Sequence, residues 1–111
     1  RNDEGLEPGN PQGRIQLCLL AQLRQRRMYG FEIIRVLRER SNGFFDLKEG
    51  TLYPALHRLE KRGLLEAETV VQEGRPPRKY YQLTPAGETA LAEAEAEWNS
   101  MTEAMGDILD G

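Results

Sequence analysis

LKEGTLYPALHRLEKRGLL, residues 47–65, is the stretch from which the fold of this chain can be read. At helical spacing Leu52, Leu56 and Leu59 share one face with Ala55 beside them. Tyr53, His57 and Lys61 share another, flanked by Arg58 and Arg62. A short helix with an apolar back and a basic, hydrogen-bonding front suits a recognition helix, and it equally suits an ordinary amphipathic surface helix. Its start is unusual. Lys48 stands where a Ser or Asp cap is expected, Gly50 costs helix stability, and Pro54 fits without distortion only near the first turn. The regular helix is therefore predicted over about 51–62, with Thr51 as cap and Gly63 as the stop.

The segment after this helix is β-like. Thr69, Val70 and Val71 carry strand propensity in 64–72, and Glu73-Gly74-Arg75-Pro76-Pro77-Arg78 makes a turn that two prolines keep out of any ladder. The return strand is predicted over 79–83, Tyr81 and Leu83 facing one way, Tyr80 and Gln82 the other. A lone hairpin is marginal, so this one must lean on helices.

Upstream, 1–13 holds Gly5, Pro8, Gly9, Pro11 and Gly13 without an apolar period and reads as a flexible arm. A first helix over about 14–27 is apolar nearly all round (Ile15, Leu17, Cys18, Leu19, Leu20, Ala21, Leu23) and calls for cover on more than one side. Cys18, the single cysteine, is expected to be a core residue. After Tyr29-Gly30 comes a second helix, 31–40, with Ile33, Ile34 and Leu37 inward and Ser41-Asn42-Gly43 ending it. Phe44, Phe45 and Leu47 read as a short extended link.

Downstream, Thr84-Pro85 opens a last helix running to about residue 109. Leu91, Ala94, Trp98, Met101, Met105 and Ile108 are spaced 3, 4, 3, 4 and 3, a heptad seam. No later element exists to cover it, so a partner chain is its natural cover. The expected organisation is thus an arm at 1–13, a unit of three helices and a hairpin at 14–83 and a dimerisation helix at 84–111.

With 111 residues, 39% hydrophobic and 30% charged, the chain has the size and balance of one globular domain. No apolar run approaches the ~20 residues needed to span a bilayer. The first residues lack the apolar core of a secretory signal, so a cytoplasmic, membrane-free protein is expected. The net charge of −3 hides a division. Residues 84–111 carry seven acids and no Lys or Arg, leaving 15 basic against 11 acidic side chains in 1–83, a net of +4. Phosphate binding by one part of the chain is permitted. Enzymatic readings are poor. One His and one Cys, on different helices, make neither a metal set nor a nucleophile–base pair, and Gly74-Arg75-Pro76-Pro77 is no phosphate-binding glycine loop. No catalytic residue, metal or cofactor is expected.

The remaining constellation is three helices and a stiffened hairpin with a basic tip. Such a hairpin beside a polar-fronted helix can straddle a DNA backbone and groove. Arg75 would reach the minor groove and Arg78, Lys79 and Tyr80 would hold phosphates. Tyr53 and His57 would point into the major groove, with Lys48 and Thr51 near phosphates at the helix start.

YGFEI at 29–33, KEGTLYPALHRLEKRGLL at 48–65 and GRPPRKYYQLTPAG at 74–87 resemble the PadR family of bacterial transcriptional regulators. The resemblance covers about residues 17–109. It implies a mainly α fold with a two-stranded β-wing, that is, a winged helix-turn-helix followed by a long C-terminal helix. It further implies a homodimer formed through the last helix and the first, bringing in Leu17, and a repressor that a small molecule releases from a palindromic operator. By the same resemblance Tyr53 lies near the DNA backbone, Thr51 at the helix entrance, and Arg75, Arg78, Lys79 and Tyr80 on the wing. Lys48 departs from the small polar residue common at its place, which leaves the helix start open. Trp98 has two readings: dimer packing, or the wall of an interfacial pocket for a flat apolar effector with Met101 and Leu17 as neighbours. A dimeric winged-helix module that binds protein or a small molecule, without sequence-specific DNA binding, is the alternative function.

Overall fold

The computed structural model describes Leu6 and residues 9–111. Along the chain run α1 (Pro11–Gln25), β1 (Met28–Tyr29), α2 (Gly30–Arg40), α3 (Glu49–Lys61), β2 (Leu65–Val70), β3 (Arg78–Leu83) and α4 (Pro85–Leu109). The result is a mainly helical winged-helix architecture.

α1 starts three residues earlier than its apolar period suggests. The Asn10 side chain accepts a hydrogen bond from the Gln12 amide at 2.9 Å, and Pro11 takes the first helical position, where its missing N–H costs nothing. The expected arm at 1–13 is corrected accordingly: residues 11–13 are helical and Leu6 is buried in the core. Residues 1–5 and 7–8 lie outside the described residues. Leu19, Leu20 and Leu23 of α1 are buried, while Cys18 is only half-buried at the core's edge, short of the core position expected. Burial in apolar surroundings still raises its thiol pKa.

α2 ends on Asn42 and Gly43, both in the left-handed region, where the Gly43 amide returns to the Arg38 carbonyl at 2.8 Å. Phe44 and Phe45 belong to the loop after it, not to an extended link that pairs with anything. α3 begins at Glu49, with Lys48 as its N-cap and no side-chain capping bond; the Lys48 carbonyl accepts from the Thr51 and Leu52 amides. The start at Thr51 is thereby corrected, and Pro54 sits inside the helix. Packing outweighs the poor cap and the proline: Leu52, Leu56 and Leu59 are fully buried and Ala55 nearly so. Gly63, at φ 78°, closes the helix, its amide on the Glu60 carbonyl and that of Leu64 on Leu59, a Schellman stop sealed by two buried leucines.

β2 and β3 pair antiparallel from Leu65↔Leu83 to Val70↔Arg78. The sheet has a third member, however. β1 pairs with β3 through Met28↔Tyr81 and Tyr29↔Tyr80, giving the order β1-β3-β2. A two-residue strand has no period to read, which is why the sequence shows only the hairpin. Tyr81 is buried beneath it.

Thr84 caps α4, accepting from the Gly87 amide at 3.0 Å while its hydroxyl donates to the Gly63 carbonyl at 2.6 Å. One side chain thus ties the α4 start to the α3 end. A backbone runs so close at Gly87 that a Cβ there would overlap the Leu64 carbonyl oxygen. Only the first half of α4 is covered: Gly87, Ala90, Leu91 and Ala94 are its buried residues. At ~1.5 Å per residue the helix is about 37 Å long, and its bare half accounts for the elongated 59 × 30 × 23 Å shape.

Candidate nucleic-acid interface

α3 presents two exposed strips on either side of its buried leucines. The first faces the hairpin. Tyr53 and His57 line a cleft of about 560 Å³ together with Tyr29, Gly30 and Phe31 at the β1–α2 junction and Pro76, Pro77, Arg78, Lys79 and Tyr81 of the hairpin. Four of the residues expected to touch DNA are therefore gathered in one place. Burial, then the neighbouring Glu49 carboxylate and Tyr81, raise the Tyr53 phenol above its ordinary range. Its hydroxyl remains a hydrogen-bond donor at neutral pH.

The position of Tyr53 is set from beneath. A Cβ built on Gly30 would lie 2.7 Å from Cζ of the Tyr53 ring, far inside contact distance, so glycine makes room for the ring at the start of α2. The hairpin root is set by stacking. The Arg78 guanidinium lies over the Tyr29 ring at 4.3 Å, Tyr29 meets Tyr80 edge-on at 5.4 Å, and Arg27 covers Tyr80 at 4.9 Å. This alternation of two arginines and two tyrosines joins β1 to β3. Sequence reasoning gives Arg27, Tyr29 and Gly30 no part in the site, although YGF at 29–31 is visible; their roles depend on β1, which is not.

The remaining expected contacts are distributed less simply. Tyr80 is not in the cleft: it lies on the opposite face of the sheet with Arg27, Glu66, Glu68 and Gln82. Strand alternation requires this once Tyr81 is buried. Lys79 is partly engaged, 3.7 Å from Glu60 and over the Tyr81 ring. Lys48 is exposed with Asp46 at 3.8 Å. Arg75, at the hairpin tip, is exposed, and among the described residues its side chain has no partner.

The second strip of α3 faces the start of α1. Gly50, Thr51, Pro54 and Arg58 line a groove of about 200 Å³ with Gln12 and Ile15. Thr51 is thus separated from Tyr53 and His57 by the curvature of the helix.

The seam of α4 divides in two. Leu91 and Ala94, expected at a dimer interface, are already buried within the chain, because the earlier α1 packs on this half of α4. That is a correction: their cover is α1, not a partner. Trp98 is half-buried, and Met101, Met105, Ile108 and Leu109 are exposed. Leu17 and Trp98 do meet, across a mostly apolar cavity of about 330 Å³ that Cys18, Ala21, Phe45 and Leu91 also line, with Arg14, Glu95 and Asn99 at its polar edge. Met101 does not line it. Phe45, unassigned from sequence, does. Glu95 also pairs with Arg24 of α1 at 3.3 Å. Among the described residues no group of His, Cys, Asp or Glu is arranged to hold a metal ion, and no helix is long and apolar enough to cross a membrane.

Three helices with a β-hairpin projecting beside the third define a winged-helix protein. The family model for the transcriptional regulator PadR-like family matches residues 19–93. A transcriptional regulator of Mycobacterium tuberculosis is 42% identical over 73 residues, 66% of this chain and 64% of that one. The X-ray structure of a PadR-like transcription factor from Bacteroides fragilis superposes with a TM-score of 0.75 at 40% identity, covering 86% of this chain and 90% of that chain. A PadR-like transcriptional regulator from Bacillus cereus gives 0.78 at 30% identity over 90% and 95%. The chain belongs to the PadR-like family of transcriptional regulators.

Proposed function

We propose that the protein is a ligand-responsive homodimeric repressor that binds a palindromic operator. One observation carries the DNA-binding part: the wing and α3 enclose a single cleft in which Tyr53, His57, Arg78 and Lys79 converge, with the exposed Arg75 beyond it at the tip. A cleft between two protruding elements fits the ridge of one phosphate strand. α3 then enters the major groove and Arg75 the adjacent minor groove, while the cleft side chains hold the strand between them. Lys48 and Thr51 meet phosphates at the α3 start; Tyr80, on the far face of the wing, acts by holding Arg27 and Tyr29 in place.

The bare part of the seam (Trp98, Met101, Met105, Ile108) seats on the same residues of a second copy, with Leu17 of α1 alongside. Two-fold pairing makes two α3 helices read half-sites about one duplex turn apart, ~34 Å. The Leu17–Trp98 cavity opens beside this seam and takes a small aromatic or hydrophobic effector, its volume being at the lower end of ligand pockets.

The test is footprinting and gel shift on the DNA flanking the protein's own gene, with and without planar apolar compounds, for the wild type and for Arg75→Ala and Tyr53→Ala. A protected two-fold site, weakened in both variants while the dimer persists, is the expected result. Absence of any protected site under all conditions would favour a module that binds protein or small molecules only. Transcription from that promoter in a strain lacking the protein separates repression from activation.

A further inference from the structure

Docking a winged helix on duplex DNA places a constraint on which side of α3 can read bases. The wing occupies one groove and α3 the other, and the two grooves are separated by a phosphate strand. Whatever lies between wing and helix therefore faces phosphate. Tyr53 and His57 share the cleft with the wing's Arg78 and Lys79, so their side of α3 meets the backbone. Base edges are left to the strip that faces the start of α1, where Pro54 and Arg58 lie beyond Thr51, which meets phosphate at the helix entrance.

Within that strip the hydrogen-bonding chemistry is sparse. Gly50 and Pro54 offer no polar side chain, and they keep the helix surface low enough for close approach. Thr51 carries one hydroxyl. Arg58 carries the only guanidinium of the strip, is exposed, and among the described residues is tied to no carboxylate or ring. The lysines nearby carry ammonium groups instead: Lys48 stands 3.8 Å from Asp46, Lys79 3.7 Å from Glu60, and Lys61, one turn beyond Arg58, is exposed. A free guanidinium on an inserted helix presents the planar fork that matches O6 and N7 of guanine, a match that lysine cannot reproduce.

We propose that Arg58 is a specificity-determining residue that reads a guanine in the major groove of each half-site, while Tyr53 and His57 serve the backbone. The assignment rests on the docking proposed above.

The experiment is selection of binding sites from a randomised duplex pool by the wild-type protein, Arg58→Ala and Arg58→Lys, followed by affinity measurements on the selected operator, on the same operator with each G·C pair replaced, and on random duplex. Wild type is expected to select a motif with a required G·C pair in each half-site. Arg58→Ala loses that preference, roughly 5- to 150-fold at one position. Arg58→Lys, which keeps the charge, recovers binding to random duplex but not the preference. The opposite pattern overturns the proposal: equal weakening of Arg58→Ala on operator and random duplex, a salt slope lowered by about 0.9, and full rescue by lysine mark a phosphate contact. A wild-type motif selected unchanged by both variants also overturns it, while leaving the proposed function standing. If wild type selects no motif at all, the proposed function fails and Arg58 falls with it.

Discussion

Replacing Ile108 by aspartate should break the dimer without unfolding the chain. Ile108 is 72% exposed on α4, so it contributes almost nothing to the fold of one copy. Burying an isoleucine side chain fully is worth about 1.5–3 kcal/mol; covering the exposed part of this one corresponds to roughly 1–2 kcal/mol. A two-fold interface uses each residue twice, which brings the loss to about 2–4 kcal/mol per dimer, or a dimer dissociation constant weaker by roughly 30- to 700-fold. The new charge lies beside Asp107 and Asp110, and its desolvation pushes the loss upward. Sedimentation equilibrium over a concentration series reads the dissociation constant, and circular dichroism checks the helix. Ala96→Asp is the control, being exposed two residues from Trp98 and hence on the opposite side of the helix. An unchanged dissociation constant for Ile108→Asp, or an equal loss for the control, would refute dimerisation through this face.

Three further outcomes are expected of the site and its surroundings. Arg75→Ala should weaken binding to operator and random duplex alike and lower the salt slope by about 0.9; unchanged affinity and slope at matched salt would remove the wing tip from the interface. Gly30→Ala should cost about 1–3 kcal/mol in urea melts by displacing the Tyr53 ring. Tyr53→Ala in the same chain should recover most of that loss, and additive costs in the double-mutant cycle would mean the ring is not what the Cβ meets. Cys18, whose thiol is held protonated by burial, should alkylate more slowly than a free cysteine at pH 8 and accelerate only as pH rises beyond the usual thiol range. A flat apolar compound that quenches Trp98 fluorescence should protect Cys18 as well, because both line one cavity; quenching without protection would place the compound elsewhere on the seam.

Periodicity and capping make most of the architecture legible. The leucines of α3, the Thr84-Pro85 start of α4 and the stops at Asn42-Gly43 and Gly63 are local signals, and local forces decide them. The features that escape depend on pairing or packing across the chain. The strand at Met28–Tyr29 exists only because β3 offers it an edge, and the stacked root of the wing comes with it. Capping chemistry alone misplaces the start of α3, because tertiary burial of Leu52 outweighs a poor cap. The α4 seam reads as one continuous surface because a heptad does not say which half an earlier helix has already covered. Tyr53, His57, Arg78 and Lys79 are recognisable individually by residue type; that they face each other, while Thr51 and Arg58 face the other way, is decided by the helix's position against the wing.

The charge division of the sequence acquires a spatial meaning in the fold, and with it a consequence for salt. No residue of α4 lines the cleft of Tyr53, His57, Arg78 and Lys79, and charges beyond ~8 Å are largely screened at physiological ionic strength. The acids of α4 therefore need not oppose DNA, and the net charge of −3 is a poor guide to the partner. They do oppose each other. Glu103, Asp107 and Asp110 lie along the bare half of α4 with no Lys or Arg on that helix, so pairing two copies through Met101, Met105 and Ile108 brings like charges together around an apolar seam. Salt screens that repulsion, whereas it weakens DNA binding by restoring counterions to phosphate. The dimer should accordingly tighten, and the operator complex loosen, as salt is raised from about 50 to 200 mM. Sedimentation and fluorescence anisotropy on the same samples read both. A dimer that weakens over this range would mean that complementary charge, supplied by arginines of α1 such as Arg24, holds the copies together in place of the apolar seam.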